Sequence, residues 1–253
     1  MVGAVLRAFA GGRLFGESYG IGTPWVLALH GWRRTHADFD AVLGERPGSA
    51  ALDALAVDLP GFGAAPPPTA AWGSEQYAEA VAPLLDEMAD KVVVLGHSFG
   101  GRVAVHLAAL RPERVSALVL TGVPFYRPAG ARTKPKARYR IVRALARRGL
   151  VPEERLEAAR RRHGSEDYRA AAGVMRDVFV RVVAEEYGDV LRELTCPVEL
   201  VWGAEDTEAR VEVARRAEGV LAEARLVVLA GVGHLTPTAV PEELRAALER
   251  ARP

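Results

Sequence analysis

Runs of apolar residues recur along the chain and predict the strands of a sheet. The runs hold many β-branched residues and few charges, which is typical of strands that are buried on both faces. They occupy residues 25–29, 51–59, 92–95, 115–121, 198–202 and 225–229. The first 18 residues predict a further strand or hairpin rather than a signal peptide, because no basic stretch precedes their apolar residues.

Helical spacing of apolar residues appears between several of these runs. It predicts helices over 75–89, 101–110, 208–222 and 241–251. Strands that alternate with helices and are apolar throughout predict a mainly parallel sheet with helices on both of its faces.

One interval, from about residue 124 to 190, breaks this alternation. It contains no strand pattern, is helical in its spacing, and carries a net charge of +7 against −6 for the rest of the chain. We therefore expect an α/β core formed by 1–123 and 191–253, with 124–190 inserted as a helical lid, or cap, over the strand ends.

Composition narrows the class of protein. A hydrophobic fraction of 49% and a charged fraction of 26% are those of a globular domain with an ample core. No apolar run is as long as a membrane span, so we expect a cytoplasmic protein without stable membrane insertion. The net charge of +1 makes no global case for nucleic acid, and the single cysteine, Cys196, excludes an intramolecular disulfide. No cluster has metal-ligand spacing, so no metal is expected.

The turn between the strand at 92–95 and the following helix carries the candidate chemistry. It reads Gly96-His97-Ser98-Phe99-Gly100, a G-x-S-x-G pattern. A serine on so sharp a turn is lifted clear of the sheet, and the flanking glycines remove Cβ clashes. The N–H groups that begin the helix point at whatever the serine attacks. The alternative is a glycine-rich turn before a core helix.

Two residues after later strands complete a possible triad. Asp206 follows the strand at 198–202, and His234 follows the strand at 225–229. The order Ser, acid, His, each after a strand, is that of a Ser-His-Asp triad on such a sheet. Ser98 would attack a carbonyl, His234 would carry the proton, and Asp206 would orient the imidazole.

The acid of the triad has two alternatives in the same loop, and two backbone N–H groups are candidates to bind the oxyanion. Glu205 or Glu208 could replace Asp206, which would then only cap its loop. The backbone N–H groups of Phe99 and Trp32 are the expected oxyanion donors.

Five short motifs together resemble the α/β-hydrolase superfamily over essentially the whole chain. They are HGW at 30–32, DLPGFG at 58–63, GHSFGG at 96–101, WGAED at 202–206 and GVGH at 231–234. The resemblance implies an eight-stranded core, a lid inserted after strand six, and no cofactor. It places the triad on Ser98, Asp206 and His234 and the oxyanion donors on Trp32 and Phe99. The run TEARVEV after Asp206 lacks the proline that family members often have there.

Three residues are candidate substrate contacts: Arg102, His30 and Tyr126. Arg102 directly follows GHSFGG. It is either a packed or salt-bridged helix residue or an arginine that binds an anion beside the nucleophile. The sequence S-x-G-G-R is also similar to that of the menaquinone-pathway enzyme that eliminates pyruvate from a cyclohexene dicarboxylate.

The basic residues between Arg127 and Arg148 form a run that contains no acidic residue. This run is either a solvated face of the lid or a surface that attracts anionic substrates.

The sequence thus predicts a serine hydrolase that cleaves a small carboxylic ester or related acyl compound. Two alternatives stay open: a lyase of the menaquinone type, and a receptor that keeps the fold with little turnover.

Overall fold

The computed structural model describes residues 6–126 and 166–253, in which eight strands form one sheet. The strands are β1 Arg7–Phe9, β2 Leu14–Tyr19, β3 Val26–Leu29, β4 Ala54–Asp58, β5 Val92–His97, β6 Val115–Thr121, β7 Val198–Gly203 and β8 Ala224–Leu229. Their order across the sheet is β1-β2-β4-β3-β5-β6-β7-β8. β1 and β2 form an antiparallel hairpin, β2 pairs antiparallel with β4, and the other neighbours are parallel. The predicted eight-stranded, mainly parallel sheet is confirmed.

Nine α-helical segments belong to the described ranges. They are α1 Asp40–Leu43, α2 Ser74–Val81, α3 Phe99–Leu110, α4 Glu166–Ala170, α5 Gly173–Val182, α6 Gly188–Glu193, α7 Val211–Glu218, α8 Thr236–Ala239 and α9 Pro241–Arg250. None of the helices in these ranges is long and apolar enough to cross a bilayer.

The apolar side chains form one cluster on each face of the sheet. In β5, Val92 and Val94 belong to one cluster and Val93 and Leu95 to the other, because successive side chains of a strand point to opposite faces. Helices α2, α3 and α7 pack on the first face, and α1 and α9 on the second. Both faces are covered, which explains why the central strands, β3 to β6, are largely apolar.

Two helices are shorter in the structure than the sequence predicts. The expected helix over 75–89 is α2 followed by a 3-10 helix, Ala82–Glu87. Pro83 lies at its start, and a proline both lacks the N–H and clashes with the preceding turn. The helix expected over 208–222 begins only at Val211.

Between β6 and β7, the structure describes three helices: α4, α5 and α6. Part of the predicted lid, 127–165, lies outside the described residues, and so does the basic run from Arg127 to Arg148.

The connections between strands turn to opposite sides of the sheet at β3. The chain passes from β3 to its neighbour β4 on one side, and then returns to β5, the neighbour of β3 on the other side. In open α/β sheets, ligands bind beyond the carboxyl ends of the strands at such a point. Ser98 follows β5 there, and Trp32 follows β3.

Candidate active site

Ser98 lies on a strained turn between β5 and α3. Its backbone has φ 51° and ψ −110°, a left-handed φ that residues with a side chain rarely adopt. The turn requires glycine on either side: a Cβ on Gly100 would lie 2.0 Å from the carbonyl oxygen of Leu29, and one on Gly96 2.5 Å from the Cα of Gly101. Such strain costs on the order of 1–3 kcal/mol, and it typically persists at functional sites.

Loops from three strands bring Ser98, His234 and Asp206 together. His234 Nε2 lies 3.1 Å from Ser98 Oγ, and His234 Nδ1 lies 2.8 Å from Asp206 Oδ2. A carboxylate only accepts hydrogen bonds, so Nδ1 carries the proton and Nε2 is free to accept from the serine hydroxyl. The three side chains therefore form a hydrogen-bonded line with the polarity that a nucleophilic serine needs.

Asp206 both orients the histidine and shapes its own loop. Its Oδ1 accepts 2.8 Å hydrogen bonds from the backbone N–H groups of Glu208 and Ala209, while Oδ2 contacts His234. The side chain of Asp206 is fully buried. These two bonds also explain the late start of α7, because they hold residues 208 and 209 in a turn.

Of the two alternative acids, Glu208 lies near the histidine on its opposite side. Its Oε2 is 3.5 Å from His234 Nε2, the nitrogen that faces Ser98, and it leaves Nδ1 to Asp206. Glu205 is exposed on the same loop. The sequence shows that this loop carries further acids besides Asp206, but it does not show that Glu208 lies beside Nε2.

The environment of His234 favours its charged form. Burial lowers the pKa of this imidazole, but the hydrogen bond and charge of Asp206 raise it, with further contributions from Glu208 and Asp167. The net effect is a pKa above the usual value for histidine.

His97 supports the backbone of His234. Its Nε2 lies 3.0 Å from the carbonyl oxygen of His234, and burial lowers the pKa of His97 to about 3. His97 is therefore neutral, and Nε2 donates to that carbonyl.

Gly122, at the end of β6, is a residue of the site that the sequence analysis missed. A Cβ at this position would lie 3.0 Å from the ring of His234 and 3.4 Å from Asp206 Oδ2. Its φ of 59° independently favours glycine. The glycine therefore leaves room for the imidazole and the carboxylate at the end of the strand.

A cavity of about 1460 Å³ opens onto Ser98 and His234. Aromatic rings form part of its wall: the ring of Trp32 lies 5.5 Å from that of Phe99 and 5.1 Å from that of Phe179. Since Trp32 follows β3, Phe99 begins α3 and Phe179 lies in α5, this wall joins the core to the helical segment after β6. An apolar group attached to a carbonyl near Ser98 would pack against these rings.

The charged end of Arg102 is held by backbone carbonyl groups. Nη1 donates to the carbonyl of Val182 and Nη2 to that of Pro124, each at 2.7 Å, and the guanidinium lies over the ring of Tyr187. Only Nε lacks a hydrogen-bond partner in the described part of the chain. Burial lowers the pKa of Arg102. These contacts give the helix-packing interpretation of Arg102 direct support.

The other two candidate contacts lie in different surroundings. His30 is fully buried and does not line the cavity. Its Nδ1 donates to the carbonyl of Gly31 and its Nε2 accepts from the N–H of Leu59, so both ring nitrogens form hydrogen bonds with the backbone. These contacts support a structural role for His30. Tyr126 lines the cavity, with its ring under the guanidinium of Arg216 at 3.7 Å.

A family model matches most of this sequence. The model of the alpha/beta hydrolase family matches residues 26–247, which include every strand of the parallel part of the sheet and all three residues of the hydrogen-bonded line. The chain belongs to the alpha/beta hydrolase family.

Curated relatives of this α/β hydrolase include two bacterial proteins. It is 54% identical to lipase LipV of Mycobacterium tuberculosis over 106 residues, which are 41% of this chain and 39% of that protein. It is 26% identical over 246 residues to the uncharacterized hydrolase YugF of Bacillus subtilis, covering 87% of each chain. The stronger identity thus spans less than half of its relative.

Solved structures share the fold. The α/β hydrolase superposes on a thermophilic esterase from Thermogutta terrifontis with a TM-score of 0.69 and 23% identity, over 98% of this chain and 96% of the other. At 23% sequence identity, this structural similarity shows that the two proteins share a fold.

Several charged side chains that line the hydrolase cavity form ion pairs. Arg33 lies 3.3 Å from both Glu166 and Asp167 at the start of α4, and Arg34 forms two hydrogen bonds with Asp38. Within residues 6–126 and 166–253, no group of three His, Cys, Asp or Glu side chains is placed to hold a metal ion.

Proposed function

We propose that this α/β hydrolase cleaves a small carboxylic ester through Ser98, His234 and Asp206. The observation that carries the proposal is the line of hydrogen bonds from Asp206 through His234 to Ser98, next to the cavity. The strained backbone of Ser98 supports it, since the turn exposes the hydroxyl at the end of β5. The relative named as a lipase supports an ester as substrate.

The first half of the reaction forms an acyl-enzyme. Ser98 Oγ attacks the ester carbonyl while its proton passes to His234 Nε2. Negative charge develops on the carbonyl oxygen, and the N–H groups of Phe99 and Trp32 are the proposed donors to it. The N–H of Phe99 is suited to this because it opens α3 and has no acceptor within the helix. When the intermediate collapses, the C–O bond to the alcohol breaks and His234 returns the proton to the alcohol.

The second half uses water. His234 removes a proton from water, the hydroxide attacks the acyl carbon, and the carboxylic acid leaves as the proton returns to Ser98 Oγ. Asp206 remains ionised throughout and stabilises the imidazolium that forms in each half.

The proposal is tested with a fluorophosphonate probe and two serine variants. Ser98→Ala should abolish labelling and reduce hydrolysis of p-nitrophenyl butyrate by about 10³-fold or more, because the nucleophile is removed. Ser116→Ala is the matched control. The hydroxyl of Ser116 donates to the carbonyl of Val92 at the start of β5, whereas Ser98 follows the other end of that strand, so labelling and turnover should persist. Unchanged turnover in Ser98→Ala would refute the triad.

The chain length of the acyl group can be found with the same assay. A series of p-nitrophenyl esters from acetate to dodecanoate should show an optimum where the chain fills the apolar wall formed by Trp32, Phe99 and Phe179. A rate that is independent of chain length would show that this wall does not hold the acyl group.

A further inference from the structure

His234 has a carboxylate on each side of its ring. Asp206 contacts Nδ1 at 2.8 Å, and Glu208 Oε2 lies 3.5 Å from Nε2, the nitrogen that faces Ser98 Oγ at 3.1 Å. The two acids differ in exposure, since the side chain of Asp206 is fully buried and that of Glu208 is 67% exposed. A second acid at the reactive nitrogen has no part in the triad described above.

We propose that Glu208 is a positioning residue that stabilises the protonated form of His234 at Nε2 and thereby raises the pH below which the enzyme loses activity. This inference rests on the proposed function, because it gives a role to a residue beside the same histidine.

The physical argument depends on which atoms carry protons. In the resting state Nε2 is an unprotonated acceptor, and a carboxylate cannot donate to it, so Glu208 makes no hydrogen bond with the neutral ring. Once the proton of Ser98 reaches Nε2, the imidazolium presents a positive N–H beside Glu208 Oε2. Glu208 therefore attracts one protonation state only, which is the condition for shifting a pKa and for stabilising the transition state.

The backbone of Glu208 is held by the acid of the triad. Its backbone N–H donates to Asp206 Oδ1 at 2.8 Å, and Asp206 Oδ2 holds the other nitrogen of the ring. One buried carboxylate thus orients both the imidazole and the residue that faces its opposite side.

The other charged or titratable groups near His234 come from three elements. Asp206 belongs to the same loop as Glu208, and Asp167 of α4 acts at longer range while paired with Arg33. His97, at the end of β5, is neutral. Glu208 is the acid nearest to Nε2 among these groups, so its removal should change the protonation of His234 without disturbing Nδ1.

The decisive variant is Glu208→Gln, which removes the charge and keeps the size. We expect the midpoint of the acidic limb of kcat/KM to fall by roughly half a pH unit, in keeping with an exposed ion pair. The plateau above the midpoint should fall by about twofold or less, because only part of the change in basicity is felt in the transition state. Half a pH unit is a factor of about three, so the two profiles should cross and the variant should be faster than the wild type well below the midpoint.

The matched control is Glu205→Gln, an exposed acid on the same loop whose profile should superimpose on that of the wild type. A purely structural role for Glu208 would lower kcat/KM by one factor at every pH and leave the midpoint in place, and this result would overturn the inference. A shift of equal size in Glu205→Gln would also overturn it, since the effect would then belong to the general charge of the loop.

Titration of the His234 ring by NMR keeps the inference separate from the proposed function. The imidazole pKa should be lower in Glu208→Gln than in the wild type, whatever substrate is hydrolysed. If Ser98→Ala retains full turnover, the proposed function fails, while the NMR titration still decides the role of Glu208. An imidazole pKa that is identical in the two proteins would overturn the inference even if Ser98 is the nucleophile.

Discussion

At the scale of single residues, buried polar groups determine how the site is held. His97 donates to the backbone of His234, Asp206 accepts three hydrogen bonds, and Arg102 donates to two carbonyl groups. A buried polar group that loses its partner costs about 1–3 kcal/mol, so each of these contacts specifies one arrangement of the loops.

Arg102 gives the first residue-scale prediction. Arg102→Met should raise KM for a neutral ester and for a carboxylate-bearing ester by the same factor, because the lost bonds hold the carbonyls of Val182 and Pro124. The free energy of unfolding should fall by about 2–4 kcal/mol, since two buried acceptors lose a charged donor.

Steady-state kinetics with the two esters and urea unfolding measure these effects. Arg111→Met is the control: Arg111 directly follows the same helix, is partly exposed and pairs with Glu113, so the change should alter stability by about 1 kcal/mol or less. If only the carboxylate-bearing ester loses affinity in Arg102→Met, Arg102 binds an anion, as in the alternative that the sequence left open.

At the scale of elements, side chains attach the helical segment after β6 to the core. Arg181 of α5 donates to the carbonyl of Ala71, and Glu185, just after α5, caps α2 by accepting from the N–H of Ser74 at 3.1 Å and from its hydroxyl at 2.5 Å. Tyr187 adds a hydrogen bond of 2.5 Å to the same carboxylate. A negative charge at the start of a helix also interacts favourably with the helix dipole.

Glu185 provides the prediction for this element. Glu185→Ala should lower the free energy of unfolding by about 2–3 kcal/mol, because the hydroxyl groups of Ser74 and Tyr187 and the N–H of Ser74 would lose their charged acceptor. Urea unfolding measures the change, and Glu185→Gln should recover part of it.

The control for this prediction is Asp177→Ala, an exposed acid of α5, which should change stability by about 0.5 kcal/mol or less. A loss of stability in Glu185→Ala no larger than in this control would show that the cap of α2 contributes nothing.

At the scale of the whole molecule, buried neutral histidines couple folding to pH. Burial lowers the pKa of His30 to about 4 and that of His97 to about 3, whereas the unfolded chain protonates both near pH 6.5. The unfolded state thus binds more protons below pH 6.5, and stability is lost as the pH falls. The raised pKa of His234 acts in the opposite direction and stabilises the fold below neutral pH.

The prediction is a free energy of unfolding that decreases with acidification from pH 6.5 to 5. Two histidines that take up protons only on unfolding give a slope approaching about 2.7 kcal/mol per pH unit at the acidic end. Urea unfolding at a series of pH values measures the slope, which should fall by about half in His97→Asn. A constant stability over this range would contradict the buried neutral state of both rings.

Much of the fold could be predicted because its signals are local. Apolar runs such as 92–95 and 115–121 identify buried strands, since burial on both faces strongly favours apolar residues. The turn at Ser98 was predictable for the same reason: Gly96, Ser98 and Gly100 lie within five residues, and the backbone conformation of this short stretch is what requires the two glycines. Boundaries were less predictable where a side chain interferes, as Pro83 does after α2 and Asp206 does before α7.

The sequence by itself determined the strands, their alternation with helices, and the order of serine, acid and histidine on loops after strands. Contacts between distant loops were decided only by the tertiary structure. Glu208 faces Nε2 of His234 because β7 and β8 are neighbours in the sheet, and Arg102 reaches Val182 across 80 residues of chain. Hydrophobic periodicity records which face of an element is buried, whereas the partner of a polar side chain depends on how the elements pack.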